Sequence, residues 1–172
     1  MDTFVEQLVK KKKSVGEIIK IAGILLITSI LVVASVLLFR ILGAFSTFII
    51  VGVFYGAWYL LTAQNIEYEY SVTNGDIDID RISGQRKRTR IVSVSGRKIE
   101  SAGKYDAEKW AGRKVDRTVM AAPSDRDDNL YYFTYHSKKR GHTLVVFQPD
   151  DRVKQSLYDG LPKLVQLDWD KE

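Results

Sequence analysis

Hydrophobic and polar positions divide the chain into two parts that follow different periods. Residues 21–63 form one apolar run of 43 residues whose only charged residue is Arg40. A helix needs about 20 apolar residues to cross roughly 30 Å of hydrocarbon, so the run is too long for one span and suits two. We therefore predict a transmembrane hairpin with spans at about 21–39 and 45–63, joined by a short turn.

After the apolar run, apolar and polar residues alternate with a period of two, which is typical of strands that bury one face. The alternation predicts strands over 66–72, 76–80 and 86–94. The pair Asn74 and Gly75 separates the first two strands. Asn-Gly between alternating segments is a strong signal for a two-residue β-hairpin, so we expect these strands to pair.

The pattern is less regular over residues 99–128. One strand is expected at 118–121, followed by a polar loop at 123–129. Segments 130–135 and 144–147 then flank the basic turn SKKRGH and predict a second hairpin.

A helix is expected near the end of the chain. Acidic residues after Pro149 are typical of a helix start, and Val153 and Leu157 follow at helical spacing until Gly160. The predicted fold class is α+β: an N-terminal two-helix transmembrane hairpin, then a mainly antiparallel β domain with a C-terminal helix. The predicted domains are a basic cytoplasmic tail over 1–20, the hairpin over 21–63 and a soluble domain over 64–172.

Basic residues near the first span set the expected orientation. Lys10–Lys13 and Lys20 precede the span, whereas the turn between the spans carries only Arg40. Because basic residues near span ends favour the cytoplasmic side, we expect the N-terminus in the cytoplasm, and two spans return the C-terminal domain there. A cleaved signal peptide is disfavoured, since the apolar run is too long and a second span follows at once. The predicted location is the cell membrane, multi-pass, with both termini cytoplasmic.

The N-terminal tail has two interpretations. The pattern of residues 2–15 favours a short helix with its apolar residues on one side and lysines at its end. Such a helix can lie on an anionic leaflet, with Lys10, Lys11, Lys12 and Lys13 as membrane-surface residues, each gaining about 1 kcal/mol. Alternatively, the tail is solvated and only sets the topology.

Composition excludes two classes of protein and shows that charge is unevenly distributed along the chain. The chain is 45% hydrophobic and contains no cysteine, which excludes a disordered chain and a disulfide scaffold. The net charge of +5 is unevenly spread: residues 81–117 carry +8, whereas residues 65–80 carry −5. Charge is therefore segregated within the predicted β domain.

The candidate ligand-binding residues are the basic cluster Arg86, Lys87, Arg88 and Arg90. A basic strand pair near the cytoplasmic leaflet can contact anionic lipid head groups. The competing interpretation is pairing with carboxylates on the neighbouring strand.

The register decides between these interpretations. If residues 83–85 form a three-residue loop, Asp80 lies opposite Arg88 and Asp78 lies opposite Arg90. We favour this internal pairing for the two arginines, and it leaves Arg86 and Lys87 as the residues more available to a ligand.

The chain resembles a family of small uncharacterised membrane proteins of Firmicutes. The resemblance lies in the stretch IEYEYSVTNGDIDIDRISGQRKRTRIVSV, which comes after two apolar spans and is followed by a late hairpin and an FxPDD helix start. The chain also resembles the bacterial pleckstrin-homology-like (PH-like) domains that follow transmembrane hairpins. The resemblance implies a seven-stranded, half-open barrel capped by a C-terminal helix. Eukaryotic domains of this kind bind phosphoinositides, and the resemblance implies no catalytic activity.

Other chemistry has little support. Asp76, Asp78 and Asp80 do not form a calcium loop, because Arg81 and Lys87 stand where such a loop needs glycine and glutamate. His136 and His142 flank one turn but lack a third ligand for a metal. The chain has no G-x-S-x-G motif, no phosphate loop and no nucleic-acid motif, so we expect no enzyme, no cofactor and no nucleic-acid partner.

Gly52 and Gly56 form a G-x-x-x-G motif within the second span. Such motifs allow close helix packing, and the simplest interpretation is packing against the first span; dimerisation is the alternative. The sequence leaves the oligomeric state open.

The function predicted from these features is a noncatalytic, membrane-anchored interaction module at the cytoplasmic leaflet, contacting anionic lipid head groups or a protein partner. The alternative is a subunit or regulator of a larger membrane protein complex, with its specificity in the spans.

Overall fold

The computed structural model describes residues 3–125, 127 and 129–169. They divide into two units. One comprises residues 12–66, and the other comprises the described residues within 1–11 and 67–172.

The unit of residues 12–66 is a pair of apolar helices. Helix α1 begins after Ser14, whose hydroxyl accepts a hydrogen bond from the Glu17 backbone while the Glu17 carboxylate accepts one from the Ser14 backbone. This capping box starts the helix six residues before the predicted span. Both long helices are long and apolar enough to cross a membrane. The helices of this unit are α1 (Val15–Leu37), α2 (Phe39–Leu42) and α3 (Phe45–Ala63).

The N-terminal segment is a strand, so the prediction of a short helix over 2–15 is wrong for residues 4–10. Strand β1 (Phe4–Lys10) pairs antiparallel with β2 (Ile66–Thr73), from Phe4 opposite Thr73 to Lys10 opposite Glu67. The tail of residues 1–20 is therefore not one segment, because it contains a strand of the sheet and the start of α1. Pairing with β2 outweighs the weak helical pattern, since an isolated short helix is marginal in water.

The first sheet has the order β1-β2-β3-β4. The hairpin predicted at Asn74 and Gly75 is confirmed: both residues have positive φ, 51° and 83°, which a two-residue type I′ turn requires. Ile77 and Ile79 of β3 and Val92 of β4 bury their side chains on the inner face. The remaining strands of this sheet are β3 (Asp76–Ser83) and β4 (Lys87–Val94).

The second sheet has the order β5-β7-β8-β6. The predicted late hairpin is confirmed as β7 and β8, which pair antiparallel from Tyr131 opposite Phe147 to Ser137 opposite Gly141. Strand β6 runs parallel to β8. A short 3-10 turn at Gly96–Lys98 connects the sheets. The strands are β5 (Ile99–Lys104), β6 (Arg117–Met120), β7 (Tyr131–Ser137) and β8 (Gly141–Phe147).

The two sheets enclose one core, and two C-terminal helices adjoin it. Phe147 packs edge-on against both Tyr70 and Phe133, with ring centroids 5.7 and 5.3 Å apart. Val153 and Leu157 of the first helix are fully buried. The predicted α+β class is therefore confirmed, with eight strands in the described residues instead of the expected seven. The C-terminal helices are α5 (Asp151–Gly160) and α6 (Lys163–Trp169).

The irregular middle of the chain covers the outer face of the second sheet. Helix α4 (Ala107–Trp110) places the Trp110 ring edge-on against Tyr132 at 4.8 Å, and Arg113 lies 4.7 Å over the Trp110 ring. Leu144 and Val146 are buried beneath this segment. Sequence periodicity misses β5 and α4 because a short covering segment has no period of its own. The predicted loop at 123–129 includes Arg126 and Asp128, which lie outside the described residues.

Tyr70 links the two sheets through its hydroxyl group. The hydroxyl donates to the Ala121 carbonyl, and the Gln148 N–H donates to the hydroxyl oxygen at 3.3 Å. Burial raises the pKa of Tyr70 well above its usual range, so the hydroxyl stays protonated as a donor.

We expect Tyr70→Phe to lower the free energy of unfolding by about 1–3 kcal/mol, because it removes the hydroxyl that pairs the buried Ala121 carbonyl and the part-buried Gln148 N–H. Tyr68→Phe is the matched control: it also removes a phenolic hydroxyl from β2, at a residue that is 6% exposed. Thermal melts of the two variants check the prediction, and equal losses would contradict it.

Candidate functional site

The apolar helical unit is inserted between two neighbouring strands. The chain leaves the first sheet at Lys10 and returns to it at Ile66. Residues 11–14 lead into α1, and residues 64–65 lead out of α3. At a maximum of about 3.5 Å per residue, these connections are short. The end of the sheet that holds Lys10 and Ile66 is here called the hairpin end.

The predicted basic residues lie at the same hairpin end. Strand β3 runs antiparallel to β2, so its last residues return to the hairpin end, and the β3–β4 turn lies there. Ser83 pairs with Lys87, and Gly84 and Gln85 adopt positive φ between them. The side chains of Arg86 and Lys87 are exposed. The fold therefore brings this turn to the same end of the first sheet as Lys10.

Arg88 and Arg90 pair with carboxylates of the sheet, which the sequence favours, but the predicted register is wrong. The loop is Gly84–Arg86, one residue later than expected, because Ser83 remains paired in β3. The later loop by itself places Asp80 opposite Arg90 and not opposite Arg88, and a bulge between Ile79 and Asp80 then places Ile79 opposite Val92.

Each of the two arginines has defined partners. The Arg90 Nε atom lies 3.0 Å from Asp80 Oδ1, and its Nη1 atom lies 2.9 Å from Asp78 Oδ2. Arg88 forms an ion pair with Glu69 of β2. These two arginines neutralise carboxylates of the sheet, so they are the less suitable half of the predicted cluster for binding a ligand.

The buried carboxylate of Glu69 requires a positively charged partner, which Arg88 supplies. Its side chain is 7% exposed. Burial raises the pKa of Glu69, and a hydrogen bond to Glu6 together with the charges of Glu6 and Asp80 raises it further, whereas Arg88 opposes the shift. Burying a carboxylate without a partner is costly, so the Arg88 guanidinium stabilises this face of the sheet.

Lys10 has only a loose partner. Its Nζ atom lies 3.9 Å from Glu67 Oε1, and its side chain is 78% exposed. Exposed ion pairs of this kind contribute little, about 0–1 kcal/mol. The Lys10 ammonium can therefore exchange its contact with Glu67 for another anion at small cost.

Several of the carboxylates and one of the histidines considered for metal binding contact other protein groups. Asp76 accepts hydrogen bonds from the Ser95 hydroxyl at 2.7 Å and from the Gly96 N–H at 3.2 Å. His136 lies opposite His142, whose Nε2 atom is 3.3 Å from Glu100. Among the described residues, no group of three or more acidic, histidine or cysteine side chains could hold a metal ion.

The glycines of the second apolar helix are not required for packing against the first. A Cβ atom added at Gly52 or Gly56 would meet nothing within 4 Å. Gly56 lines an apolar groove of about 230 Å³ between α1 and α3, with Thr28 and Ala57 among its neighbours. The interpretation that these glycines allow close approach of the two helices is therefore not supported.

Two packed sheets, a C-terminal helix against their core, and an apolar helical pair inserted between the first two strands define the molecule as a PH-like domain. The chain belongs to the family described as Bacterial PH-like domain (DUF6106), whose model matches residues 1–166 and so includes β1 and the helical pair. No curated protein and no solved structure matches the chain.

Sequence reasoning missed β1, the strand that makes the helical pair an insertion. Val5, Gln7 and Val9 alternate toward the interior, which is a strand signal. Phe4 and Leu8 obscured it, since they are apolar but point outward and are 63% and 52% exposed. The period of two was therefore hidden by apolar residues on both faces.

Proposed function

We propose that this protein is a noncatalytic, membrane-anchored interaction module whose PH-like domain is held at the cytoplasmic leaflet by two spans. The observation that carries the proposal is the insertion of α1 and α3 between β1 and β2. Both helices have the length and hydropathy of spans. A PH-like fold supports an interaction role, because such domains are generally noncatalytic.

Strand pairing supports the proposed topology independently of charge. Strand β1 precedes α1, and β2 follows α3, yet the two strands pair along seven residues. If α1 and α3 cross a bilayer, the sheet can form only when β1 and β2 are on the same side. The lysines that precede α1 then favour the cytoplasmic side for both.

Single cysteines test this topology cleanly, because the natural chain contains none. We expect Thr3→Cys and Lys139→Cys to react with a membrane-impermeant maleimide only when the reagent can reach the cytoplasmic face. We expect Ala44→Cys to react only from the opposite face. The assay uses intact cells and inverted vesicles. The proposal would be overturned if the cysteines at 3 and 139 reacted with the maleimide from different sides of the membrane. It would also be overturned if the cysteine at 44 reacted from the same side as those two.

The alternative, a subunit or regulator of a larger membrane complex with specificity in the spans, stays a prediction. The Firmicutes origin that the sequence resemblance implies also stays a prediction. A protein partner and anionic lipid are both compatible with the proposed role, and the charges at the hairpin end favour lipid.

A further inference from the structure

We propose that β1 pairs with β1 of a second copy of this chain, so that the first sheets of the two copies join into one continuous sheet. The pairing is antiparallel about a two-fold axis that passes through Leu8. Glu6 of each copy then lies opposite Lys10 of the other. The inference rests on the proposed membrane anchoring, which holds both copies in one bilayer, and it assigns a partner to the anchored domain.

Strand β1 lies at the edge of the first sheet and directs half of its backbone groups away from β2. Among the described strands, β2 is the neighbour of β1. The Thr3 carbonyl accepts a hydrogen bond from the Asn74 N–H at 3.0 Å, so these two residues are a hydrogen-bonded pair of the ladder. Because hydrogen-bonded pairs alternate along an antiparallel ladder, Glu6 and Leu8 direct their N–H and C=O groups away from β2. Such a row of backbone groups is a template for another strand.

The side chains on the outer face of β1 suit pairing with a copy of the same strand. Glu6, Leu8 and Lys10 are exposed there, so one apolar residue lies between two opposite charges. The other edge strand of this sheet, β4, instead exposes the arginines Arg88 and Arg90. Charges of one sign on an edge strand discourage its pairing with a copy. Strand β1 is therefore the edge of this sheet that is suited to a second copy.

Charge selects one register for the two β1 strands. A two-fold axis between two residues would place side chains of the outer face opposite side chains of the inner face. An axis at Glu6 would place two carboxylates opposite each other, and an axis at Gln7 would place Glu6 opposite Leu8. An axis at Leu8 places Glu6 opposite Lys10 on both sides of a leucine pair. Cross-strand pairs of opposite charge and of apolar residues stabilise a sheet, so this register is favoured.

The charges of Glu6 and Lys10 are poorly matched within one copy. Glu6 forms a hydrogen bond with Glu69, a group of the same charge, and this contact raises the pKa of Glu69. The Lys10 ammonium has its exposed contact with Glu67 at 3.9 Å, which contributes little. A second copy supplies each of the two groups with an opposite charge directly across the strand pair.

Membrane anchoring compensates for the small size of this interface. One strand pair is small compared with the roughly 1,200 Å² at which stable protein interfaces begin, so the contact is weak between free molecules. Two copies that are held in one bilayer have a much higher effective concentration. We therefore expect the pairing in membranes rather than in dilute solution.

Disulfide crosslinking of the full chain in phosphatidylcholine vesicles tests the pairing. Leu8→Cys introduces a single cysteine, because the natural chain has none. On oxidation it should join two copies, since Cα atoms of directly opposite residues lie about 5.5 Å apart, within the range of a disulfide. The control is Thr89→Cys, an exposed position on the edge strand β4. We expect about tenfold more covalent dimer from Leu8→Cys, because the control cysteines meet only by collision.

Charge reversal tests the register. In the Leu8→Cys chain, we expect Glu6→Lys alone or Lys10→Glu alone to lower the yield of covalent dimer about tenfold, because two opposite-charge pairs become two like-charge pairs. A mixture of the two reversed chains should recover the yield, since a Glu6→Lys chain and a Lys10→Glu chain are complementary at both pairs. A short tag on one chain identifies the mixed dimer. Recovery would also show that both reversed chains are folded.

Three results would overturn the pairing. The first is an equal yield of dimer from Leu8→Cys and Thr89→Cys. The second is a yield that the single charge reversals leave unchanged or that their mixture fails to recover. The third is crosslinking of Leu8→Cys in native membranes to a different protein without any dimer, which would assign the β1 edge to that protein. Any of these results combined with correct maleimide topology would refute the pairing and leave the proposed membrane anchoring in place.

Discussion

A chain that starts at Gln64, and so lacks β1, is expected to fail to fold. A second chain, which keeps β1 and replaces residues 12–65 by a short glycine-containing turn, is expected to fold as a soluble domain. Strand β1 supplies seven paired positions along β2. Without it, the backbone N–H and C=O groups on that side of β2 lose their partners, and unpaired edges of this kind promote aggregation.

Strand β1 also stabilises the start of the C-terminal helix. The Gln7 amide nitrogen donates to the Gln148 carbonyl at 3.1 Å, and its oxygen accepts from the Asp150 N–H at 2.7 Å. Asp150 caps α5 by accepting from the Val153 N–H at 2.8 Å. Burial alone would raise the pKa of Asp150, but hydrogen bonds from Val153 and Arg152 lower it, so the cap stays ionised. Loss of β1 therefore disturbs two separate parts of the domain.

Circular dichroism and thermal unfolding of the two shortened chains test this expectation. Gln7→Ala in the chain that keeps β1 is an intermediate case, with a loss of about 1–3 kcal/mol from two hydrogen bonds to backbone. If the chain starting at Gln64 unfolded cooperatively with the same melting temperature as the chain that keeps β1, the strand would be dispensable.

Gly96→Ala is expected to lower the free energy of unfolding of the domain by about 3 kcal/mol or more. This is the upper end of the usual cost of adding a methyl group to a close-packed site. Three glycines meet backbone to backbone: Gly75 in the Asn-Gly turn, Gly96 in the 3-10 turn and Gly160 at the end of α5. A Cβ atom at Gly96 would collide with the backbone oxygens of both other residues. Backbone cannot rotate away as a side chain can, so the three segments would have to separate.

Gly112→Ala provides the contrast for this variant. Gly112 has a φ of 88° and open space around it, so alanine there costs backbone strain alone, about 1 kcal/mol. Gly96 is not among the glycines with positive φ, so its substitution tests close packing alone. Thermal melts of the full chain in nanodiscs compare them, and a smaller loss at Gly96 than at Gly112 would contradict the role of the glycine contact.

Local signals predicted the parts of the fold that depend on neighbouring residues. Asn74 and Gly75 fold into the expected turn because positive φ at two adjacent positions suits these residue types. The apolar helices follow from length and hydropathy, which require no tertiary information. Helix α5 begins at Asp151 because its cap is local.

Register was harder to predict because it depends on two irregularities that have no sequence signature. The loop after Ser83 starts one residue later than expected, and a bulge at Asp80 adds a further shift. Arg90 therefore pairs with both Asp78 and Asp80, and Arg88 reaches Glu69 on a different strand. The sequence therefore predicted the ion pair of Arg90 with Asp78, which is present, but it assigned Asp80 to Arg88, and that pair is wrong.

Composition and periodicity alone settle that the chain has an apolar helical pair, an antiparallel β domain and a segregated basic stretch, because these properties arise from residues close together in sequence. The position of β1 beside β2 is different, since some 55 residues separate these strands and their pairing depends on contacts across the whole domain. Only the tertiary structure shows that the helical pair is an insertion, and that Lys10 and Lys87 therefore lie at one end of one sheet.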